Sequence, residues 1–169
     1  MTAAKMLYDL DFVAWAEQQA EALRAAARGG TNQPLDWENL AEEIECLARS
    51  DRCQLRSQIY RIVRHLAKLQ FHPASDPRRG WWESVVDGRM EVDLVLADSP
   101  SLKTELDRVV SQQIPKALGR AIFDLGEYGD VDPATELAIR CTRYTAEQIL
   151  GDWFPPDRTR TSVNGEQGR

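Results

Sequence analysis

The side chains that most often do chemistry in helical proteins are few in this sequence, and their spacing does not suit a metal site. A di-iron helix carries a glutamate three residues before a histidine, but Ile62 and Leu69 stand three residues before His65 and His72. The three cysteines show neither a C-x-x-C pair nor another zinc-binding spacing. The sequence therefore predicts no metal ion and no cofactor.

Loops that bind phosphate or present a nucleophile are missing from the sequence as well. The chain contains no G-x-x-x-x-G-K-[ST], no G-x-G-x-x-G and no G-x-S-x-G pattern. We therefore assign no catalytic residue and favour a protein without enzymatic activity. A weaker hypothesis is a hydrolase in which carboxylates act as acid and base. Its residues would be Glu42, Glu43, Asp51 and His65.

Positive charge is concentrated in one stretch of the chain. Residues 49–79 hold eight lysines and arginines against two aspartates, a net charge of +6. Since the whole chain carries −6, the remaining residues carry −12. The predicted interaction face consists of Arg52, Arg56, Arg61, Arg64, Arg78, Arg79, Trp81 and Trp82. The acidic total favours cations that pair with carboxylates of this chain or of another copy. The alternative is nucleic-acid binding, for which a basic total is usual.

Two polar residues, Asp51 and His65, fall within or beside the apolar arc of the same stretch, and both are candidates for burial. A histidine in such a place is typical of a hydrogen-bonded core residue. Asp51 either caps a break in the helix or, in an unbroken helix, is a buried carboxylate that needs an arginine partner.

The elements that would position these residues are helices. Leucine and alanine are frequent, and apolar residues recur at steps of three and four. We predict an all-α bundle of five to seven helices around a long central helix at about 37–71, either continuous or broken near 49–52. The apolar stripe of this helix comprises Leu40, Ile44, Leu47, Leu55, Ile59, Ile62, Leu66 and Leu69.

The other helices are predicted from caps and breakers. One helix begins at Asp9 or Asp11 and ends at Arg28, and a short last helix begins at Thr145 with a capping box. Pro115 is expected to kink or divide a helix, and residues 126–134 are expected to form a loop. A third helix, from about 81 to 97, is predicted to turn Trp82, Val85, Val86, Met90 and Leu94 inward.

The chain of 169 residues is of a size for one domain. We predict a single all-helical domain over residues 1–156 and a disordered tail over residues 157–169. The sequence contains neither an apolar run of about 20 residues nor a signal-peptide pattern. We therefore expect a cytoplasmic protein without a membrane partner.

Several stretches are distinctive enough to compare with a known family. They are YDLDFVAWAEQQAEALR (8–24), LDWENLAEEIECLARSDRCQLRSQI (35–59), HLAKLQFHP (65–73), DSPSL (98–102) and TAEQILGDWFP (145–155). Together they resemble the bacterial family catalogued as domain of unknown function 29, over nearly the whole chain up to Pro155. The resemblance implies a small all-helical domain. It implies no activity and no catalytic residue.

These observations do not define a biological role. The interpretation that fits them best is a non-enzymatic helical domain for protein–protein interaction. It would self-associate as a homo-oligomer through the Arg-rich face of the long helix or through Trp81 and Trp82. The alternative is a nucleic-acid-binding regulator that uses the basic face of residues 49–79.

Overall fold

Apolar residues at helical spacing form helices throughout the part of the chain that the structure describes. The computed structural model describes residues 3–30, 33–72, 77–127, 129 and 131–156. Within them lie seven α-helices, one 3₁₀ helix and no strand, which confirms the all-α prediction. The α-helices are α1 (Ala3–Leu10), α2 (Phe12–Arg28), α3 (Trp37–Phe71), α4 (Arg78–Asp98), α5 (Leu106–Gly126), α6 (Pro133–Cys141) and α7 (Ala146–Leu150), and the 3₁₀ helix spans Pro100–Glu105.

The chain divides into two compact units. The first comprises Met1–Leu55 and Asp93–Leu106, and the second comprises Arg56–Val92 and Asp107–Arg169. The single domain over residues 1–156 stays a prediction. The predicted disorder of residues 157–169 lies outside the described residues.

The first unit is organised around the junction of α1 and α2. Asp11 separates the two helices and caps α2, because its Oδ1 accepts a hydrogen bond from the Ala14 amide at 2.9 Å. The predicted start at Asp9 or Asp11 is therefore the start of α2, and α1 is an additional helix before it. The same carboxylate accepts hydrogen bonds from the amide and the hydroxyl of Ser101 in the 3₁₀ helix.

The long helix α3 is continuous through residues 49–52, so the alternative of a break there is wrong. Its predicted stripe is correct in the second half, where Ile59, Ile62 and Leu66 are fully buried. In the first half the prediction is wrong for Leu40 and Leu47, which are 41% and 48% exposed. The buried positions there are alanines 41 and 48, each one residue later and about 100° further round the helix.

Helix α4 begins at Arg78, three residues before the predicted start. Val85 is buried as predicted, and so is Val92. Trp82, Met90 and Leu94 are exposed, so their predicted inward orientation is wrong. The inward face of the second unit's part of α4 includes Gly88, where an added Cβ would lie 2.8 Å from Ile62 Cγ1 of α3.

This close approach gives a matched pair of glycine substitutions on α4. Alanine in an exposed helix position is more favourable than glycine by up to about 1 kcal/mol. We expect Gly80→Ala to raise the free energy of unfolding by part of this amount, because nothing lies within 4 Å of its added Cβ. We expect Gly88→Ala to lower the free energy of unfolding by about 1–2 kcal/mol, because buried Ile62 must move. Urea unfolding of both variants would measure this, and equal effects at the two glycines would contradict the packing argument.

Two helices that follow residue 105 differ from their predictions. Pro115 lies inside α5, which the structure assigns as one helix and not two. Helix α6 begins at Pro133 with Asp132 as its N-cap, so the predicted loop ends earlier than residue 134 and is followed by a helix that was missed. Helix α7 has the predicted capping box of Thr145 and Gln148.

None of the helices in the described residues is both long enough and apolar enough to cross a membrane.

Candidate functional site

The predicted interaction face was built from cations, and the structure places several of them against carboxylates of the same chain. In the first unit, Arg52 Nη2 lies 2.7 Å from Glu17 Oε1, and Arg52 Nε lies 2.8 Å from Glu105 Oε1. Burial acts to lower the pKa of Arg52, but the hydrogen bonds to Glu105 and Glu17 outweigh it and raise the pKa. Arg52 therefore joins α3 to α2 and to the 3₁₀ helix.

Asp51 is half-buried in the first unit, and its described partner is a hydroxyl group. Ser99 Oγ donates a hydrogen bond to Asp51 Oδ2 at 3.1 Å and accepts one from the Val13 amide at 3.3 Å. An arginine partner for Asp51, from another helix or another copy, stays a prediction. A carboxylate that keeps some contact with solvent needs less compensation than a fully buried one, and the buried Ser99 hydroxyl supplies it.

A buried ionic cluster lies in the second unit. The Asp124 carboxylate on α5 accepts hydrogen bonds from Arg64 at 2.5 Å and from Lys68 at 2.7 Å, and it forms an ion pair with Arg120 at 2.9 Å. The side chains of Asp124 and Lys68 are only 5% and 10% exposed. Burial acts to raise the pKa of Asp124, but the hydrogen bonds from Arg64 and Lys68 outweigh it and hold the pKa below its usual value. We call these four residues the Asp124 cluster.

His65 lies beside the Asp124 cluster, and its Nδ1 atom is buried without a hydrogen-bond partner among the described residues. Burial first, and then the positive charges of Lys68, Arg64 and Arg61, together lower the pKa of His65 to about 4, against the opposing effect of Asp124. His65 is therefore neutral at pH 7. Its Nδ1 atom thus lacks, within the described part of the chain, the hydrogen bond that is typical of a core histidine.

The adjacent tryptophans point to different neighbours. The Trp81 ring meets the His72 ring edge-on at 4.9 Å between centroids, and the Lys68 ammonium lies 5.6 Å from the Trp81 ring centroid. Trp82 stacks on Phe154, with centroids 5.6 Å apart and ring planes inclined by 24°. Trp81 is half-buried, whereas Trp82 is 48% exposed.

Trp82 lines a cleft of about 250 Å³ in the second unit, which we call the Trp82 cleft. It is lined by Leu69, Arg78, Arg79, Trp82, Phe154 and Pro155. Arg79 also pairs with Glu83 at 2.9 Å on the same helix. The cleft is thus lined by an exposed indole and by two arginines. Such a surface suits contact with another protein, because arginine and tryptophan combine apolar area with directional hydrogen-bond donors.

A buried arginine, which was not predicted from the sequence, holds the wall of the Trp82 cleft that Phe154 forms. Arg89 donates hydrogen bonds to the carbonyl oxygens of Gln148, Ile149 and Trp153 at 2.7–2.9 Å. Its guanidinium also lies 4.7 Å from the Phe154 ring centroid. Burial lowers the pKa of Arg89. Arg89 positions the segment that follows α7.

The remaining predicted cations, Arg52, Arg56, Arg61 and Arg64, do not line the Trp82 cleft. Arg61 Nη2 lies 3.8 Å from Asp87 Oδ2, a long ion pair. Arg56 and Arg78 are half-buried. Of the eight predicted residues, the structure brings Arg78, Arg79 and Trp82 together in the Trp82 cleft.

The described residues offer no obvious catalytic centre. Glu42 and Glu43, which the hydrolase hypothesis required, are exposed on α3. Within the described ranges, no group of three or more His, Cys, Asp or Glu side chains is arranged to hold a metal ion.

Comparisons with known proteins agree with the fold and assign no activity. No curated protein matches the chain. A solved alpha-helical protein of unknown function from Rhodospirillum rubrum shares 26% sequence identity with a TM-score of 0.69, over 92% of this chain and 96% of that one. The family described as "Domain of unknown function DUF29" matches residues 7–154. The family match spans most of the 169 residues, and the chain therefore belongs to the DUF29 family of proteins.

Proposed function

We propose that this chain is a protein–protein interaction domain that binds a second copy of itself through the Trp82 cleft. The observation that carries the proposal is the half-exposed indole of Trp82, stacked on Phe154 and flanked by Arg78 and Arg79. Tryptophan and arginine at the centre of an apolar patch are the residues that most often dominate binding energy in protein interfaces. The bacterial, cytoplasmic setting expected from the sequence stays a prediction.

Charge complementarity supports a second copy as the occupant of the Trp82 cleft. Residues 49–79 carry a net charge of +6 and the rest of the chain carries −12, so each copy offers acidic surface to the arginines of the other. Contacts between opposite charges at an interface speed association and fix its orientation.

The ion pairs within the chain support a protein occupant over a nucleic acid. Arg52, Arg64 and Arg79 already pair with carboxylates of their own chain. A phosphate backbone would have to compete with these carboxylates, and the acidic total repels a polyanion. A protein surface needs fewer free cations, since its binding energy comes largely from the buried centre of the interface.

Size-exclusion chromatography with light scattering tests the proposal on the full chain. We expect the mass to rise above the 19.2 kDa of one chain as concentration increases. Trp82→Ser should weaken association at least about tenfold, as loss of a hot-spot tryptophan does. Arg79→Glu, at a side chain that is largely exposed, should weaken it as well without disturbing the core.

The matched control is Leu137→Ser, which removes another exposed apolar side chain on α6, away from the cleft residues named above. It should leave the association unchanged. A mass of 19.2 kDa at every concentration would overturn the proposal. Equal weakening by Leu137→Ser and Trp82→Ser would also overturn the Trp82 cleft as the interface.

A separate titration tests the alternative that the chain binds nucleic acid. Labelled double-stranded and single-stranded DNA and RNA are mixed with the full chain at low salt, and binding is followed by fluorescence anisotropy. We expect no binding. Tight binding that falls steeply as salt rises would overturn the proposal in favour of a nucleic-acid-binding protein.

A further inference from the structure

A second and larger cavity lies in the second unit, between α5 and the chain that leaves α6. Its volume is about 500 Å³, within the range of small-molecule sites. Its apolar wall consists of Ile114, Pro115 and Leu118 on α5, and its polar wall carries Arg140 and Arg143.

Two features of α5 characterise its wall of this cavity. Gly119 lines it without a side chain, and nothing lies within 4 Å of the place where a Cβ would stand. Pro115 has no backbone N–H, so the carbonyl of Ser111, four residues earlier, lacks its usual helical donor. Ser111 also lines the cavity, and its hydroxyl donates to the Arg108 carbonyl at 2.8 Å.

The two arginines of the polar wall differ in their partners. Arg140 donates from Nε and Nη2 to Glu136 Oε1 at 2.9 and 2.7 Å, which neutralises its charge locally. Arg143 Nη1 donates to the carbonyl oxygens of Arg140 and Thr142 at 3.1 and 2.9 Å. Those bonds hold the guanidinium beside the cavity, and none of the carboxylates in the described part of the chain pairs with Arg143.

The cavity therefore combines an apolar wall with one positive charge that no described carboxylate compensates. We propose that it binds a small amphipathic monocarboxylate, such as a medium-chain fatty acid. The carboxylate pairs with the Nε and Nη2 donors of Arg143, a geometry that favours planar anions. The apolar tail lies on Ile114, Pro115 and Leu118 beside the bare backbone of Gly119.

A two-dimensional amide NMR titration of the full chain with sodium octanoate tests this inference. We expect saturable shifts at residues 111–119 and 140–143, with a dissociation constant of about 0.1–1 mM for a ligand of this size. 1-Octanol lacks the charge and acetate lacks the tail, so each should bind at least about tenfold more weakly than octanoate.

Variants of the cavity distinguish a specific binding site from nonspecific hydrophobic binding. Arg143→Gln should weaken octanoate binding at least about tenfold and leave 1-octanol binding unchanged. Gly119→Leu should block both ligands, because its side chain fills the cavity. Arg28→Gln, at an exposed arginine of the first unit, is the matched control and should change neither.

Three results would overturn the inference: no saturable shift with octanoate, equal affinity for 1-octanol and octanoate, or unchanged octanoate binding in Arg143→Gln. Saturable shifts confined to the Trp82 cleft would overturn it as well. Since Arg143 and Gly119 do not line that cleft, the outcome is independent of the self-association experiment.

Discussion

The Asp124→Ala substitution should lower the free energy of unfolding by about 3–5 kcal/mol. Asp124 is almost fully buried, and its carboxylate compensates Lys68, which is almost fully buried too, together with the partly exposed Arg64 and Arg120. Without the carboxylate, a buried ammonium has no counter-charge. Burying an isolated charge is far more costly than burying a paired one. Urea unfolding followed by far-ultraviolet circular dichroism would measure the loss.

Three further variants show whether charge or side-chain volume causes this loss. Asp124→Asn keeps the volume but removes the charge, so most of the destabilisation should persist. The double variant Lys68→Met with Asp124→Asn removes the most buried cation as well and should recover part of it, as apolar replacements of buried pairs do. Asp107→Asn, at an exposed aspartate near the start of α5, should change the free energy of unfolding by no more than about 0.5 kcal/mol. A loss below about 1 kcal/mol in Asp124→Ala would contradict the argument.

The ion pairs of the Asp124 cluster were not predicted from the sequence, and the reason is physical. Arg64 and Lys68 belong to a cationic helix face, which on a helical wheel is typical of a solvated surface. Their partner is about 60 residues away in the chain, and one aspartate on an amphipathic helix carries no signal of burial. Local periodicity does not show which residue, distant in the chain, will pack against a helix face that is polar in sequence.

Two helix caps, by contrast, were predicted from the sequence. Asp11 and the Thr145–Gln148 capping box act through neighbours within three residues, so their local pattern determines them. The missed helix α6 has a signal of the same kind, because Asp132 and Pro133 form an N-cap and first-turn proline. Attention to that pair would have predicted it.

The core was predicted where its residues are large and missed where they are small. A wheel of large apolar residues selects Leu40 and Leu47, but alanines 41 and 48 are buried in their place. Small residues permit close helix approach, and the gain depends on the neighbouring backbone, which the sequence does not display. The same limit applies to Gly88 against Ile62.

Acidification should destabilise the protein before its carboxylates titrate, because of His65. The pKa of His65 is about 4 in the folded chain, against an ordinary value of 6.5. Between these pH values the unfolded chain binds a proton that the folded chain does not, so the free energy of unfolding falls as pH decreases. The stabilisation is fully present above pH 6.5 and is lost as pH falls toward 4. The full separation corresponds to about 3 kcal/mol.

Urea unfolding at a series of pH values from 4 to 8, with wild type and His65→Leu compared at each pH, would measure this loss. The difference between the two proteins should change by about 2–3 kcal/mol across the window and be flat above it. Lys68, Arg64 and Arg61 act against protonation of His65, and Asp124 acts for it. Asp124→Asn should therefore lower the His65 pKa further and extend the acid loss to lower pH. The pKa of Asp124 is itself held below its ordinary value of 3.8, and the stabilisation from its carboxylate is lost only at lower pH. Parallel pH profiles for wild type and His65→Leu would show that another group causes the acid sensitivity.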